Sequence, residues 1–382
     1  MERRIGIIMN GITGRMGLNQ HLIRSVLAIR DDGGLILNDG SKLMPDPILV
    51  GRNKLKLEEI ASRYAVDRYT TDLDNALENT DDSVFFDSAT TKMRVEILNK
   101  AISAGKHIYC EKPVADDLKG ALEIAKYARQ KEVKNGVVHD KLYLPGLIKL
   151  KRLNDAGFFG KILSVRGEFG YWVFDGEIIP AQRPSWNYRK SDGGGIIKDM
   201  LCHWRYVLDN VIAPVKSVSC AGKVHISERW DESGQKYEAD ADDAAYASFE
   251  LEGGIMAQIN SSWSVRVKRD DLVTFQVDGT LGSAVAGLHK CSIQHHLNTP
   301  KPTWNPDQPQ TLRFHDHWIP VPDNEDFGNG FRTQWEEFLR HVAEDGPWKY
   351  DLFEGAKGVQ LAECALKSWK ERRWIDIPEI EI

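Results

Sequence analysis

Ile5-Gly6-Ile7-Ile8-Met9-Asn10-Gly11-Ile12-Thr13-Gly14-Arg15-Met16-Gly17 decides the fold of the first half of the chain. Ile5–Met9 is a continuous apolar run of strand length, as expected of a strand covered on both faces. Three glycines follow at Gly11, Gly14 and Gly17, and then a helical stretch, Leu18–Ile29. In such a strand–turn–helix unit, glycines let the backbone reach a pyrophosphate and let the helix pack on the strand. The first helical N–H groups then face the anion. The turn therefore reads as a dinucleotide site, with Gly11, Thr13, Gly14, Arg15 and Met16 as cofactor contacts. The competing reading is a glycine-rich turn without a ligand, and the strand–helix context argues against it.

The same alternation continues to about His139. Strand-like runs at Pro47–Val50, Ser83–Asp87, His107–Cys110 and Gly136–His139 are separated by helical stretches at Leu55–Tyr64, Lys92–Ala104 and Leu118–Gln130. Strands separated by helices imply right-handed crossovers and a parallel sheet, with ligands beyond the carboxyl ends of the strands. Asn10, Gly51, Ser88 and Glu111 fall at those ends. The end of the second strand commonly reads the ribose, and an acidic residue there favours NAD. Here it is Gly51-Arg52-Asn53. Arg52 can hold a 2′-phosphate, with Asn53 beside it and Arg15 in support, and no carboxylate repels it. The expected cofactor is NAD(P), with NADP slightly favoured. Solvated surface arginines are the alternative reading of Arg52 and Arg15.

Beyond His139 the pattern changes. Ile162–Trp172, Lys216–Ile226, Ala244–Leu251, Ile255–Trp263, Leu272–Val277 and Ser283–Leu288 read as long strands. Short turns such as Glu252-Gly253-Gly254 and Asp278-Gly279-Thr280 join several of them, which implies an antiparallel sheet. Leu144–Asn154 and the stretch after Gly195 read as helices covering one face. Thr299–Gln310 reads as a loop, and Phe331–Glu344 and Phe353–Arg372 as closing helices. The fold class is thus α/β: a dinucleotide-binding domain over residues 1–138, then an α+β domain over 139–382 with a large, mostly antiparallel open sheet. The last helices are free to pack back on the first domain.

Composition sets outer limits. A length of 382 residues exceeds one ordinary core, and 42% apolar with 28% charged residues is usual for a soluble globular protein. A net charge of -6 argues against nucleic acid as the main partner. No apolar stretch is long enough for a membrane span, and Ile5–Met9 is too short for a signal-peptide core. Cys110, Cys202, Cys220, Cys291 and Cys364 are odd in number and widely spaced, as in reduced thiols of a cytoplasmic protein. No metal site is expected. Asp199 and His203 have no evident third ligand, and His295-His296 and His315-Asp316-His317 read as surface histidines.

Two clusters carry chemistry. Glu111-Lys112-Pro113 ends the strand His107–Cys110, where Lys112 can contact both a cofactor and a substrate oxygen. Lys190, Gly193-Gly194-Gly195, Asp199 and His203 follow in the second half. Asp199 and His203 are one helical turn apart, so both lie on one face. An imidazole titrates near neutrality and suits proton transfer. Asp199 can fix its tautomer or bind a substrate hydroxyl, and Lys112 can stabilise a developing alkoxide. By spacing alone, the stripe Asp199, His203 and Tyr206 reads first as a solvated helix face, and Lys190 equally as a surface charge. Trp186, in the loop before the glycines, is a candidate for stacking on a sugar ring.

These segments resemble the glucose–fructose oxidoreductase / inositol dehydrogenase (Gfo/Idh/MocA) family over nearly the whole chain. Ala104-Gly105-Lys106-His107-Ile108-Tyr109-Cys110-Glu111-Lys112-Pro113 is similar to its A-G-K-H-x-x-x-E-K-P segment. Gly157-Phe158-Phe159-Gly160-Lys161-Ile162 resembles its turn into the second domain, and Trp186 through His203 resembles its stretch ending G-G-G-x-x-x-D-x-x-x-H. The resemblance implies a Rossmann domain followed by an open-sheet α/β domain. It also implies catalytic roles for Lys112, Asp199 and His203, with Glu111 and Lys112 near the cofactor and Lys190 near the substrate. Three departures stand out. The turn is G-x-x-G-x-x-G rather than G-x-G-x-x-G. The usual T-P-N-x-x-H-x-E run is Ala89-Thr90-Thr91-Lys92-Met93-Arg94-Val95-Glu96, with Ala89 in its cofactor-contact position. His139-Asp140-Lys141-Leu142-Tyr143 lacks the common N-x-R.

The expectation is an NAD(P)-dependent dehydrogenase interconverting a ring hydroxyl and a ketone of a sugar or glycoside. Its substrate would be held by Lys112, Trp186, Lys190, Asp199 and His203. A cyclitol dehydrogenase and a non-catalytic NADP-responsive regulator are the alternatives. A homo-oligomer, dimer or tetramer, is expected through an uncovered sheet face with Val273, Phe275 and Val277 as its apolar positions.

Overall fold

The run Ile5–Met9 forms the middle of β1 (Glu2–Asn10) in the computed structural model, which describes residues 1–381. β2 (Leu35–Ile36), β3 (Lys42–Val50), β4 (Arg68–Thr70), β5 (Val84–Asp87), β6 (His107–Cys110) and β7 (Asn135–Val137) complete the first sheet. Its order is β2-β3-β1-β5-β6-β7, with β4 beside β3. Only β2 runs antiparallel to its neighbour. From β1 the chain goes to β3 on one side and later to β5 on the other. The strand order therefore reverses at the carboxyl ends of β1 and β5, where an open α/β sheet leaves a crevice.

Both faces of this sheet are covered. Ile7, Met9 and Phe86 pack with Leu22, Val26, Trp335 and Phe338, whereas Ile8, Phe85 and Ile108 pack with Leu98, Ile102 and Ile124. Double coverage is why β1 reads as an unbroken apolar run. β3 contains Pro45 and Pro47, which fall between its outer pairings, with β2 at Lys42 and Leu43 and with β4 from Ile48. A missing N–H disrupts no ladder in that gap. The short β2, β4 and helix Leu73–Glu78 add to the elements expected from sequence.

The chain divides into two compact units. One is Met1–Tyr143 with Phe327–Glu363 and the residues from Glu379, so the helix Gly330–Glu344 belongs to the sheet just described. The other is Leu144–Asp326 with Cys364–Pro378. It contains β8 (Ile162–Gly170), β9 (Val215–Lys223), β10 (Glu228–Trp230), β11 (Lys236–Glu238), β12 (Ala244–Leu251) and β13 (Ile255–Ser262). β14 (Val273–Gly279), β15 (Gly282–Ala286), β16 (Cys291–His295), β17 (Ile319–Pro320) and β18 (Ile375–Asp376) follow. The order of the large sheet is β17-β16-β15-β14-β8-β13-β12-β9-β18. Every pairing is antiparallel except β8 with β13. β10 and β11 form a separate hairpin.

One expectation is corrected here. Val273, Phe275 and Val277 are 2%, 2% and 0% exposed and belong to the unit's own core. The Trp204 ring of the helix Ile196–Val207 packs 5.5 Å from Phe275, between centroids. The alternate positions Thr274, Gln276 and Asp278 are only partly covered, and Asp278 pairs with Arg166 at 3.0 Å. The apolar positions of β14 are therefore no docking surface. No helix among the described residues is long and apolar enough to cross a membrane.

Candidate active site

Two of the three turn glycines are there for closeness. Gly11 has φ +77°, and a Cβ on it would lie 2.5 Å from the Ala89 nitrogen. A Cβ on Gly17 would lie 2.5 Å from Ser88 Oγ. The turn thus packs on the chain leaving β5, which brings Gly11 and Ala89 together. Gly14, at the exposed tip, would meet only Gly11 O at 3.3 Å. Thr13 and Met16 are partly buried, and Arg15 is exposed. Open backbone at Gly14, the start of the helix Gly17–Leu27 and the Arg15 cation make a donor set that a dinucleotide pyrophosphate fits.

Behind the turn lies a buried ion pair absent from the sequence reading. Arg94 Nε donates to Asp87 Oδ2 at 2.7 Å, and Asn10 Nδ2 donates to Asp87 Oδ1 at 2.8 Å. Arg94 also donates to the carbonyls of Ala89, at 2.7 Å, and of Pro113. Burial works against its charge, and Asp87, with Cys110 and Glu111, outweighs it and raises its pKa. Arg94 stands where the related run has histidine. A fully buried guanidinium there ties the Ala89 and Pro113 segments to one carboxylate.

Glu111 is 8% exposed, and its carboxylate is engaged internally. His21 Nε2 lies 2.9 Å from Oε1, and the Lys112 N–H donates to Oε2 at 3.1 Å. The Trp335 indole N–H donates to His21 Nδ1 at 3.0 Å. That bond places the His21 proton on Nε2, which donates to Glu111. Burial alone would raise the Glu111 carboxyl. The hydrogen bond from His21, with the charges of Lys112 and Arg94, opposes it, and the group is held below its ordinary value. Lys112 is partly exposed, and its peptide bond to Pro113 is cis. A histidine amid apolar helix positions was the only local sign of this arrangement.

At the end of β3, Arg52 is exposed. Asn53 beside it holds the next helix. Its side chain accepts from Lys56 N at 3.1 Å and caps Lys54–Arg63. Asn53→Ala should lower stability by about 1 kcal/mol in denaturant unfolding. A weakened cofactor affinity in the same variant would mark Asn53 as a ribose contact as well.

In the second unit, the triple glycine shapes the entry to the helix Ile196–Val207. Gly193 and Gly195 have φ +80° and +120°, in the region that favours glycine. A Cβ on Gly194 would lie 2.5 Å from the carbonyl oxygens of Trp186 and Asn187. Asp242 caps the helix, accepting from Ile197 N at 2.7 Å. The glycines thus bring the Trp186 loop against the helix that carries Asp199 and His203. Trp186 is 49% exposed, and Lys190 is exposed with its backbone N–H donated to Asp240 at 2.8 Å.

Two of the three residues of the supposed polar stripe are buried, and Asp199 is half-buried. His203 and Tyr206 are each 4% exposed, and His203 Nδ1 lies 2.5 Å from the Tyr206 hydroxyl. A tyrosine three residues on, facing the same way, was the readable signal for that bond. Asp199 pairs with Arg183, whose Nη2 donates to Oδ2 at 2.8 Å. Arg183 comes from the loop before Trp186, and nothing local in the sequence singles it out.

Comparisons with known proteins show the family and the fold. A model described as an oxidoreductase family with an NAD-binding Rossmann fold matches residues 39–139, and the GFO/IDH/MocA C-terminal domain matches residues 147–285. The unusual glycine turn lies before the first matched stretch. D-xylose dehydrogenase of Paenarthrobacter nicotinovorans is 57% identical over 99% of this chain and 98% of its own length. Levoglucosan dehydrogenase of Pseudarthrobacter phenanthrenivorans is 22% identical over 84% of this chain and 87% of its own. A solved levoglucosan dehydrogenase, in complex with NADH and L-sorbose, shares the fold with a TM-score of 0.79 at 20% identity, covering 98% of both chains.

Proposed function

The chain belongs to the Gfo/Idh/MocA family of NAD-binding oxidoreductases, and on that premise we propose that it is a sugar dehydrogenase acting on D-xylose or a closely related sugar. The observation that carries this reading is the D-xylose dehydrogenase match over nearly the full length of both proteins. The reaction is hydride removal from one carbinol carbon of the sugar ring. A bound nicotinamide supplies the hydride acceptor. This chain's residues orient the sugar and handle the proton.

His203 takes the hydroxyl proton. In the tautomer whose Nδ1–H donates to the Tyr206 oxygen, Nε2 is the atom that accepts it. Lys112 donates to the oxygen as negative charge develops there. Asp199 accepts a hydrogen bond from a neighbouring sugar hydroxyl. Trp186 offers an exposed aromatic face to the ring C–H groups, and Lys190 a cation at the rim. In the first unit, Gly14, Arg15, Met16 and Ala89 border the dinucleotide, and Arg52 favours NADP.

The test is a panel of D-xylose, other aldoses, glycosides and myo-inositol, each with NAD+ and NADP+, followed by reduced-nicotinamide absorbance. Turnover of D-xylose above the rest supports the reading. Turnover of myo-inositol alone replaces it with a cyclitol dehydrogenase, and cofactor binding with no turnover of any compound replaces it with a regulator. Product analysis assigns the carbon, since oxidation at the anomeric position gives a lactone and elsewhere a ketone.

Arg52→Ala tests the cofactor preference. It should weaken NADP by about 1.5–3 kcal/mol, the worth of a charge-assisted contact, and NAD by much less, because only NADP carries the 2′-phosphate. Titration of both dinucleotides decides it. Equal losses, or a wild type that prefers NAD, remove the role given to Arg52.

A further inference from the structure

Arg183 has no part in the reaction as described so far, yet its surroundings are specific. Its side chain is 20% exposed. Nη2 donates to Asp199 Oδ2 at 2.8 Å and to Asn187 Oδ1 at 3.2 Å, and Nη1 reaches the Tyr171 hydroxyl at 3.5 Å. The guanidinium carbon lies 4.1 Å from the centroid of the Trp263 ring, which is fully buried. Burial disfavours the Arg183 charge, but Asp199, together with Tyr171 and Tyr188, offsets it, so the group is held above its ordinary pKa.

Three features separate this from an incidental surface pair. The cation is stacked on a buried indole, so its position is set from beneath. The same nitrogen reaches Asp199 and Asn187, the residue after Trp186, so one group ties the loop to the helix. The planar fork matters too: a lysine could supply the charge but neither the stacking nor the forked contact.

We propose that Arg183 is a positioning residue, which fixes and neutralises the Asp199 carboxylate so that Asp199 meets a sugar hydroxyl as an oriented acceptor rather than as a mobile anion. The inference rests on the reading of Asp199 given above. Holding a first-contact group in its productive geometry from behind lowers the ordering cost of binding substrate. The sugar end of the reaction is therefore affected, and the cofactor end is not.

A double-mutant cycle tests it, with D-xylose as substrate at saturating cofactor. The variants are R183M, D199N and R183M/D199N, with R183K as the conservative change. R183M should lower kcat/KM about tenfold, mainly through KM. The double variant should be no worse than the more damaged single one, because Arg183 acts through Asp199. R183K should recover part of the loss. Cofactor Kd and Tm, measured on every variant, should stay near wild type, which a merely structural role for Arg183 would not leave unchanged together with that coupling. Additive effects, or a normal kcat/KM in R183M beside an impaired D199N, overturn the inference and leave the reading of Asp199 standing. A D199N enzyme with wild-type kinetics overturns both.

Discussion

His203→Ala lowers kcat by a factor of about 10²–10⁴, the usual contribution of a positioned general acid/base. The residue is 4% exposed, and its Nδ1 lies 2.5 Å from the Tyr206 hydroxyl, so the ring orientation is set before substrate arrives. Alanine leaves space and a few lost contacts but no replacement acceptor. Cofactor affinity should hardly change, because His203 is not among the residues proposed to contact the dinucleotide. The decisive measurement is the pH dependence of kcat in wild type and variant. The wild-type profile should carry an ionisation that the variant lacks. Wild-type turnover across the pH range would take His203 out of the mechanism.

Lys112→Ala should reduce kcat by about 10²–10³, equivalent to about 2.7–4 kcal/mol, as when a donor to a developing oxyanion is removed. The local fold should survive. The Lys112 backbone N–H still bonds to Glu111 Oε2, and Glu111 keeps His21 and, through it, Trp335. Binding of reduced cofactor, followed by fluorescence, separates a lost donor from a lost site. If the cofactor binds and turnover falls less than tenfold, the oxyanion role is wrong. Lys112→Arg adds a second check. A guanidinium keeps the charge but cannot place one compact donor at the same point.

Most of the framework was legible in the sequence, for local reasons. An unbroken apolar run such as Ile5–Met9 can only be a doubly covered strand or a buried helix, and the glycines after it select the strand. His107–Cys110 and Leu118–Gln130 have the expected bounds, because a short strand and a helix are each set by their own periodicity and stops. The one-turn spacing of Asp199 and His203 likewise puts them on one face of a helix in any fold.

What the tertiary structure alone decided are the partners. Alternation along β14 shows that Val273, Phe275 and Val277 share a face, but only the helix Ile196–Val207 determines that this face is the covered one. Spacing alone also allowed Asp199 to be a solvated helix-surface carboxylate; the fold brings in Arg183 from the preceding loop, and Glu111 gains His21 from across the sheet. Arg94 looked like a lost histidine and is a buried cation bound to Asp87 and two loop carbonyls. Periodicity is a property of neighbours along the chain. A charge is paired, covered or left in water by whatever distant segment packs beside it, and that choice belongs to the core as a whole.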